Sequence, residues 1–354
     1  MPVPSLPFSS AAAPFAVPPT GFAADTASYK TVRPSGALHR HVLIPYAALA
    51  DVPWVRQGQP VALPHLDALL QRLRAQDSVP VQDTDFCTSY ERMAALWLGW
   101  PQARSAATLP WAAQTAQVSV ESVTPAQHWA YMTPCHWTVG ADQIRLDNPA
   151  DLALDAAQSQ AFLALLKPWF AEDGLRLHYL QPDCWLVEGD VLQGLTSAAL
   201  DRALLRDVRH WAPEAGQNRT IQRLHSEVQM LLYTHPLNLE REAKGQAAVN
   251  AFWLHGLGQL PTGCQPQATH LEVWDLLREP ALLEGPDAWL QAWQVLDGGP
   301  MADLLRHVQA GGSATLALCG ERAARSFTTA PRSLGQRLQN LLRPQRFADI
   351  REAL

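Results

Sequence analysis

His41-Val42-Leu43-Ile44 is a short run of apolar and β-branched residues stopped by Pro45, and Leu66, Leu69, Leu70 and Leu73 follow it at helical spacing. A strand that feeds a helix opens an α/β unit. Downstream, Thr88-Ser89-Tyr90-Glu91 has the T-x-x-E form of a capping box. Met93, Leu96, Trp97 and Trp100 follow it on one helical face up to Pro101. Residues 116–123 alternate apolar and polar at period two, which predicts a strand. Two more are predicted at Trp137-Thr138-Val139 and Ile144-Arg145-Leu146, around a Gly-Ala-Asp turn.

A helix from about Leu154 to Phe170 is expected to end at Gly174, followed by a hairpin that turns at Gln181-Pro182-Asp183. Leu200, Leu204, Val208 and Trp211 predict a further helix closed by Pro213. The clearest helix runs from Arg219 to Tyr233, with Ile221, Leu224, Val228, Leu231 and Leu232 in one arc. Leu271 to Trp274 and Ala314 to Leu318 predict strands, and Trp289 with Trp293 and Met301 to Gln309 predict helices. The fold class is therefore α/β, a mixed sheet with flanking helices in one or two lobes. The expected divisions are a disordered Pro/Ala-rich leader over 1–36, an N-terminal α/β lobe over 37–215, and a C-terminal α/β lobe over 216–354.

A chain of 354 residues, 47% hydrophobic and 17% charged, has the composition of a globular protein. Its net charge of −6 argues against whole-chain attraction to nucleic acid or an anionic membrane. The stretch from Glu321 onward is different, with seven arginines against Glu321, Asp349 and Glu352. There Leu334, Leu338, Leu341 and Leu342 oppose Arg332, Arg337 and Arg343 on a basic amphipathic helix, read first as a peripheral helix packing on its own domain with solvated arginines; nucleic acid is not expected except through these arginines, and nucleic-acid or protein contact there is the alternative. Five scattered cysteines without a C-x-x-C pair indicate reduced thiols. The first residues lack the cationic and apolar regions of a signal peptide, and no stretch is long and apolar enough for a membrane helix, so a cytoplasmic protein is expected.

The chemistry-bearing residues cluster after the clearest helix. His235-Pro236-Leu237-Asn238 begins a polar loop in which Asn238 is expected to cap a helical turn and Arg241 or Lys244 to hold an anion or a glutamate. Asn250 opens an apolar run that ends in His255-Gly256-Leu257-Gly258, read as a strand leading to a glycine turn whose backbone N–H groups face a ligand. His235, Asn238, Arg241, Asn250 and His255, with Gly256 and Gly258, are expected to line one pocket for a small anionic ligand or a protein partner. The third glycine of a dinucleotide fingerprint is replaced by Pro261, and neither a G-x-x-x-x-G-K-[ST] loop nor a G-x-S-x-G elbow occurs. His39 and His41 share a strand face but lack the further ligands of a zinc site, so neither a metal nor a cofactor is expected. His225 and Glu227 fall about 160° apart on their helix and cannot act as a pair.

The block from Arg223-Leu224-His225-Ser226-Glu227-Val228-Gln229-Met230 through His235-Pro236-Leu237-Asn238 to Val249-Asn250-Ala251-Phe252-Trp253-Leu254-His255-Gly256-Leu257-Gly258 resembles the RpfE-type regulatory proteins of bacteria. Leu318-Cys319-Gly320-Glu321 is similar to that family's late strand. The resemblance implies a role in regulating extracellular virulence-factor production. It also connects the chain to relatives labelled cofactor-independent phosphoglycerate mutases. Enzymes of that kind hold two metal ions with Asp and His ligands around a Ser or Thr nucleophile, the first aspartate standing at the end of the first strand; this chain has Ile44-Pro45-Tyr46-Ala47 there. The main expectation is a regulatory or ligand-binding protein, beside the alternatives of a metal-dependent phosphoryl-transfer enzyme and of contact through the arginine-rich helix.

Overall fold

The computed structural model describes residues 39–49, 62–121, 123, 127–212, 218–263, 270–282, 285–330 and 345–354. The expected leader over 1–36 and the arginine-rich helix around Arg332, Arg337 and Arg343 lie outside the described residues. Strand β1 (Arg40–Ile44) leads to helix α1 (Pro64–Leu70), strand β2 (Leu73–Pro80), helices α2 (Ser89–Trp97) and α3 (Trp111–Ser119), and strands β3 (Trp129–Cys135), β4 (Trp137–Val139) and β5 (Ile144–Leu146). Helix α4 (Ala156–Glu172), strands β6 (Arg176–Gln181) and β7 (Cys184–Glu188), and helices α5 (Leu200–Ala203), α6 (Arg219–Tyr233) and α7 (Pro236–Ala243) follow. The rest is β8 (Ala251–Gly258), β9 (Leu271–Val273), α8 (Arg278–Leu282), α9 (Pro286–Leu296), α10 (Ala302–Gln309), β10 (Ala314–Cys319), β11 (Ala323–Thr329) and α11 (Phe347–Arg351).

The fold is mixed α/β. One sheet has the order β2-β11-β10-β1-β9, with β1 parallel to β10 and β9; the other, β6-β7-β3-β8, is antiparallel; β4 and β5 form a separate hairpin. Both sheets draw strands from either side of residue 216: β8 pairs with β3, and β1 and β2 join the sheet of β9 to β11. Strand β1 is covered on both faces, as parallel strands require. Val42 and Ile44 pack with Leu66, Leu69, Trp289, Trp293 and Leu304, whereas Leu43 packs with Met93, Ala94 and Trp97 of α2. That second cluster continues to Trp129, Tyr131 and Leu186, so it fills the space between the two sheets. The outer face of the antiparallel sheet, including Met132, Trp185 and Phe252, is covered by Phe162 and Leu166 of α4 and Leu224 and Val228 of α6.

The expected capping box is present: Thr88 Oγ1 accepts from Glu91 N at 3.2 Å, and Thr88 N donates to Glu91 Oε2 at 2.8 Å. The hairpin β6–β7, the helix Arg219–Tyr233 and the perpendicular Trp289–Trp293 pair also stand where the sequence predicts them. Other segments depart from expectation because tertiary pairing overrides local pattern. Leu73 starts a strand rather than ending a helix, since its backbone pairs with Thr329. Residues 111–119 are helical, because Trp111, Ala112, Ala113 and Ala116 bury one face and Trp111 packs on Trp100, their ring centroids 4.5 Å apart. The helix expected over 200–211 is broken after α5 at Leu205, which takes φ +58° and donates its N–H to Leu146 O at 2.8 Å.

The glycine turn expected at Gly256 lies inside β8. Trp129 pairs with Gly258 but Tyr131 with His255, so β8 carries one extra residue, a bulge with Gly256 at φ +62°. A Cβ on Gly256 would stand 2.8 Å from Tyr131 Cδ2 and 3.3 Å from Ala112 N, so the missing side chain lets the sheet and α3 close on each other. Gly256→Ala is expected to cost about 2–3 kcal/mol in urea unfolding, adding a clash to the usual penalty of the left-handed region. Gly245→Ala, at φ +71° with nothing within 4 Å of the added Cβ, should cost only about 1 kcal/mol. Equal costs at the two positions would show that the close approach of Tyr131 has no energetic weight.

Candidate functional site

Ligands of open α/β sheets commonly bind beyond the carboxyl ends of the parallel strands. Here that place is filled by the chain itself. Beyond β1, Tyr46 takes φ +55°, and beyond β9 the chain reaches Arg278. Both converge on Asp201 of α5, whose side chain is completely buried. Arg278 donates from Nε to Asp201 Oδ2 at 2.9 Å and from Nη2 to Oδ1, and the hydroxyls of Tyr46 and Tyr90 each donate to Oδ2 at 2.9 Å. Burial pushes the Asp201 carboxyl up, but the Arg278 charge and these hydrogen bonds outweigh it and hold the group below the usual carboxylate range. Close by, burial raises Glu91 to about 7 against the two hydrogen bonds from Thr88, and lowers His255 to about 4.

The donors at this place do not fit the two-metal centre implied by the mutase resemblance. Tyr46 stands at the end of the first strand where a ligating aspartate is required, and both oxygens of Asp201 are engaged by a guanidinium and two phenols. Among the described residues no group of three or more His, Cys, Asp or Glu side chains is arranged to hold a metal ion.

A cleft of about 160 Å³ opens elsewhere, between the β4–β5 hairpin, the short 3-10 turn Pro149–Leu152 and the loop after α7. It is lined by His136, Arg145, Asp147, Asn148 and Asp151 together with Leu152, Leu205 and Ala247. His136 Nδ1 lies 2.7 Å from Ala248 O. A carbonyl can only accept, so in the neutral ring the hydrogen is on Nδ1 and Nε2 keeps its lone pair. Arg145 Nε donates to Asp147 Oδ1 at 2.9 Å, and Thr138 Oγ1 donates to Asp147 Oδ2 at 2.6 Å. Asn148 caps the 3-10 turn, accepting from Ala150 N at 3.2 Å, and Asp151 is exposed beside it.

Of the residues expected to form one pocket, Arg241 stands behind this cleft and bonds to two of its lining residues, and Asn250 and Asn238 tether the backbone next to them. Arg241, only 2% exposed, donates to Ala247 O at 2.9 Å, to Gln158 Oε1 at 2.6 Å and to Leu152 O at 2.5 Å. Asn250 clamps the hairpin, accepting from Trp137 N at 2.7 Å and donating to Trp137 O at 3.0 Å. Asn238 lies inside α7 and does not cap it; its side chain joins Leu232 O to both backbone groups of Val249. The capping group is His235, whose Nδ1 accepts from Leu237 N at 3.2 Å. His255, Gly256 and Gly258 are on the side of β8 that faces Tyr131, Thr133 and Pro110, and are not joined to the others. The lining groups escaped sequence reasoning, although Arg145-Leu146-Asp147-Asn148-Pro149-Ala150-Asp151 is a dense polar run with a turn-forming Asn-Pro.

All four described cysteines (Cys87, Cys135, Cys184 and Cys319) are buried free thiols, and among the described residues no helix is long and apolar enough to cross a membrane. No protein-family model and no curated protein matches the chain. Solved structures do resemble it. A cofactor-independent phosphoglycerate mutase from Thermoplasma acidophilum DSM 1728 is 12% identical with a TM-score of 0.38, the alignment covering 84% of this chain and 91% of the other. The PH0037 protein of Pyrococcus horikoshii is 10% identical with a TM-score of 0.44, covering 82% and 87%.

Proposed function

We propose that this chain is a ligand-binding protein whose cleft between the β4–β5 hairpin, the 3-10 turn and the loop after α7 receives a small polar molecule. The observation that carries this reading is Arg241. A buried guanidinium is costly to desolvate, and this one has no acidic partner within hydrogen-bond reach among the described residues; it is spent on two backbone carbonyls and an amide oxygen that fix two walls of the cleft. Leu205 adds support, because an apolar side chain 36% exposed on a left-handed backbone at the cleft's edge is a strained arrangement of the sort that binding sites retain. The regulatory role implied by the sequence resemblance would then be the response to that ligand.

The test is a backbone-amide NMR titration of the full chain with amino acids, amines, carboxylates and polyols. Shifts are expected to cluster at His136, Arg145, Asn148, Asp151, Leu205 and Ala247. A set of compounds that leaves every one of these amides unmoved sinks the proposal, as does saturable binding whose shifts map elsewhere.

A further inference from the structure

Resting on that reading, we infer that the ligand carries a primary ammonium group on a short apolar body. The sequence suggests an anion, held by Arg241 or Lys244, but Arg241 is turned inward and spent on the walls. The groups that reach the cleft have a different balance. Asp147 is satisfied by Arg145 and Thr138, so their charges cancel locally. Of the charges lining the cleft, Asp151 is the one without an ion pair among the described residues: one oxygen takes a marginal 3.5 Å contact from Asn148 Nδ2, and the other has no hydrogen-bond partner among them. His136 adds the lone pair on Nε2, because Ala248 O holds the hydrogen on Nδ1.

Two acceptors and one net negative charge belong to residues that line the same space, and an ammonium supplies the three donors and the positive charge they lack. Leu152, Leu205 and Ala247 complete the lining with apolar surface. A volume of about 160 Å³ equals the share of about five waters in the liquid, room for a body of a few carbons. Arg145 determines whether a carboxylate is tolerated as well. Its Nε is used by Asp147, while its terminal amino groups have no partner among the described residues and can seat a carboxylate side by side. Simple amines and small amino acids thus share the recognised group, and the experiment separates them.

Full-length protein is titrated with n-propylammonium, L-alanine and propionate by amide NMR. Both ammonium compounds are expected to shift the cleft amides and propionate to leave them unmoved. Asp151→Asn should weaken both ammonium compounds at least tenfold, whereas Arg145→Gln should weaken L-alanine alone; unchanged binding of L-alanine to Arg145→Gln assigns the site to simple amines. Because Asp151 and Arg145 are exposed, the variants are expected to melt as the parent does. Propionate binding as tightly as the amines, or Asp151→Asn binding them normally, overturns the ammonium inference. So does binding by carboxylates or polyols in the absence of amine binding, and in each of these cases the cleft reading survives. Failure of every class of compound to move the cleft amides rejects both.

Discussion

Arg278→Met is expected to lower the free energy of unfolding by about 3–5 kcal/mol, the usual cost of leaving one partner of a buried ion pair uncompensated. Asp201 has no exposed side-chain surface, and without Arg278 its carboxylate would keep only the two phenol hydrogen bonds. The loss should extend beyond one helix, because the network ties α5 to the ends of β1 and β9 and, through Tyr90, to α2. Combining Arg278→Met with Asp201→Asn removes both charges and leaves an amide oxygen to accept from Tyr46 and Tyr90. The double variant is therefore expected to recover at least about 1.5 kcal/mol relative to Arg278→Met alone. Urea unfolding of the parent, both single variants and the double variant closes the cycle. A cost below about 1 kcal/mol for Arg278→Met, or no recovery in the double variant, would mean that the charges are solvated in a way this geometry excludes.

The α/β class is legible from β1 and its following leucines, and the helix Arg219–Tyr233 and the β6–β7 hairpin from periodicity and turn residues, because local pattern and tertiary environment agree there. They disagree at 116–119, where Val118 continues the alternation of a strand but stays exposed while Trp111 and the alanines bury a helical face. The candidate site is harder to read for a different reason. Asn238, Arg241 and Asn250 attract notice as polar residues in an apolar block, and the structure gives each a polar partner, but on the inside, as tethers of backbone carbonyls. His136, Arg145 and Asp151 reach the cleft from the residue after β3, from β5 and from a 3-10 turn, brought together by the β4–β5 pairing, by Asp147 N donating to His136 O at 3.0 Å and by the Arg241 contacts. Long-range pairing of that kind leaves no period in the sequence. Helix geometry, by contrast, separates His225 from Glu227 correctly: Glu227 pairs with Arg223 at the surface, and His225 turns inward.

That inward histidine sets the second large effect, a loss of stability in mild acid. His225 lies between Phe252, with ring centroids 3.9 Å apart, and Trp137 at 5.4 Å, and its Nδ1 is buried without a hydrogen-bond partner among the described residues. Burial lowers its pKa to about 4, and burial lowers that of His255 to about 4 as well, against an ordinary value of 6.5. Between those limits the unfolded chain binds protons that the folded chain refuses, so stability is fully present above pH 6.5 and is lost as pH falls toward 4. By pH 5 each histidine should have cost about 2 kcal/mol. Glu91 works in the opposite sense. Its pKa is raised to about 7 from 4.5, so the folded chain takes up its proton first and regains about 2 kcal/mol over the same interval. His41, which burial and the neighbouring His39 lower to about 4, adds a loss in the same sense as the other histidines, so the parent is expected to lose stability between pH 7.5 and 5 as the net of opposing effects. His225→Phe isolates one of them, since a phenyl ring keeps the stack on Phe252 and Trp137 and cannot be protonated. Its urea-unfolding free energy should fall by about 2 kcal/mol less than the parent's over that range. An identical fall in the two proteins would show that His225 takes up its proton in the folded state at its ordinary value, and would place the acid sensitivity elsewhere.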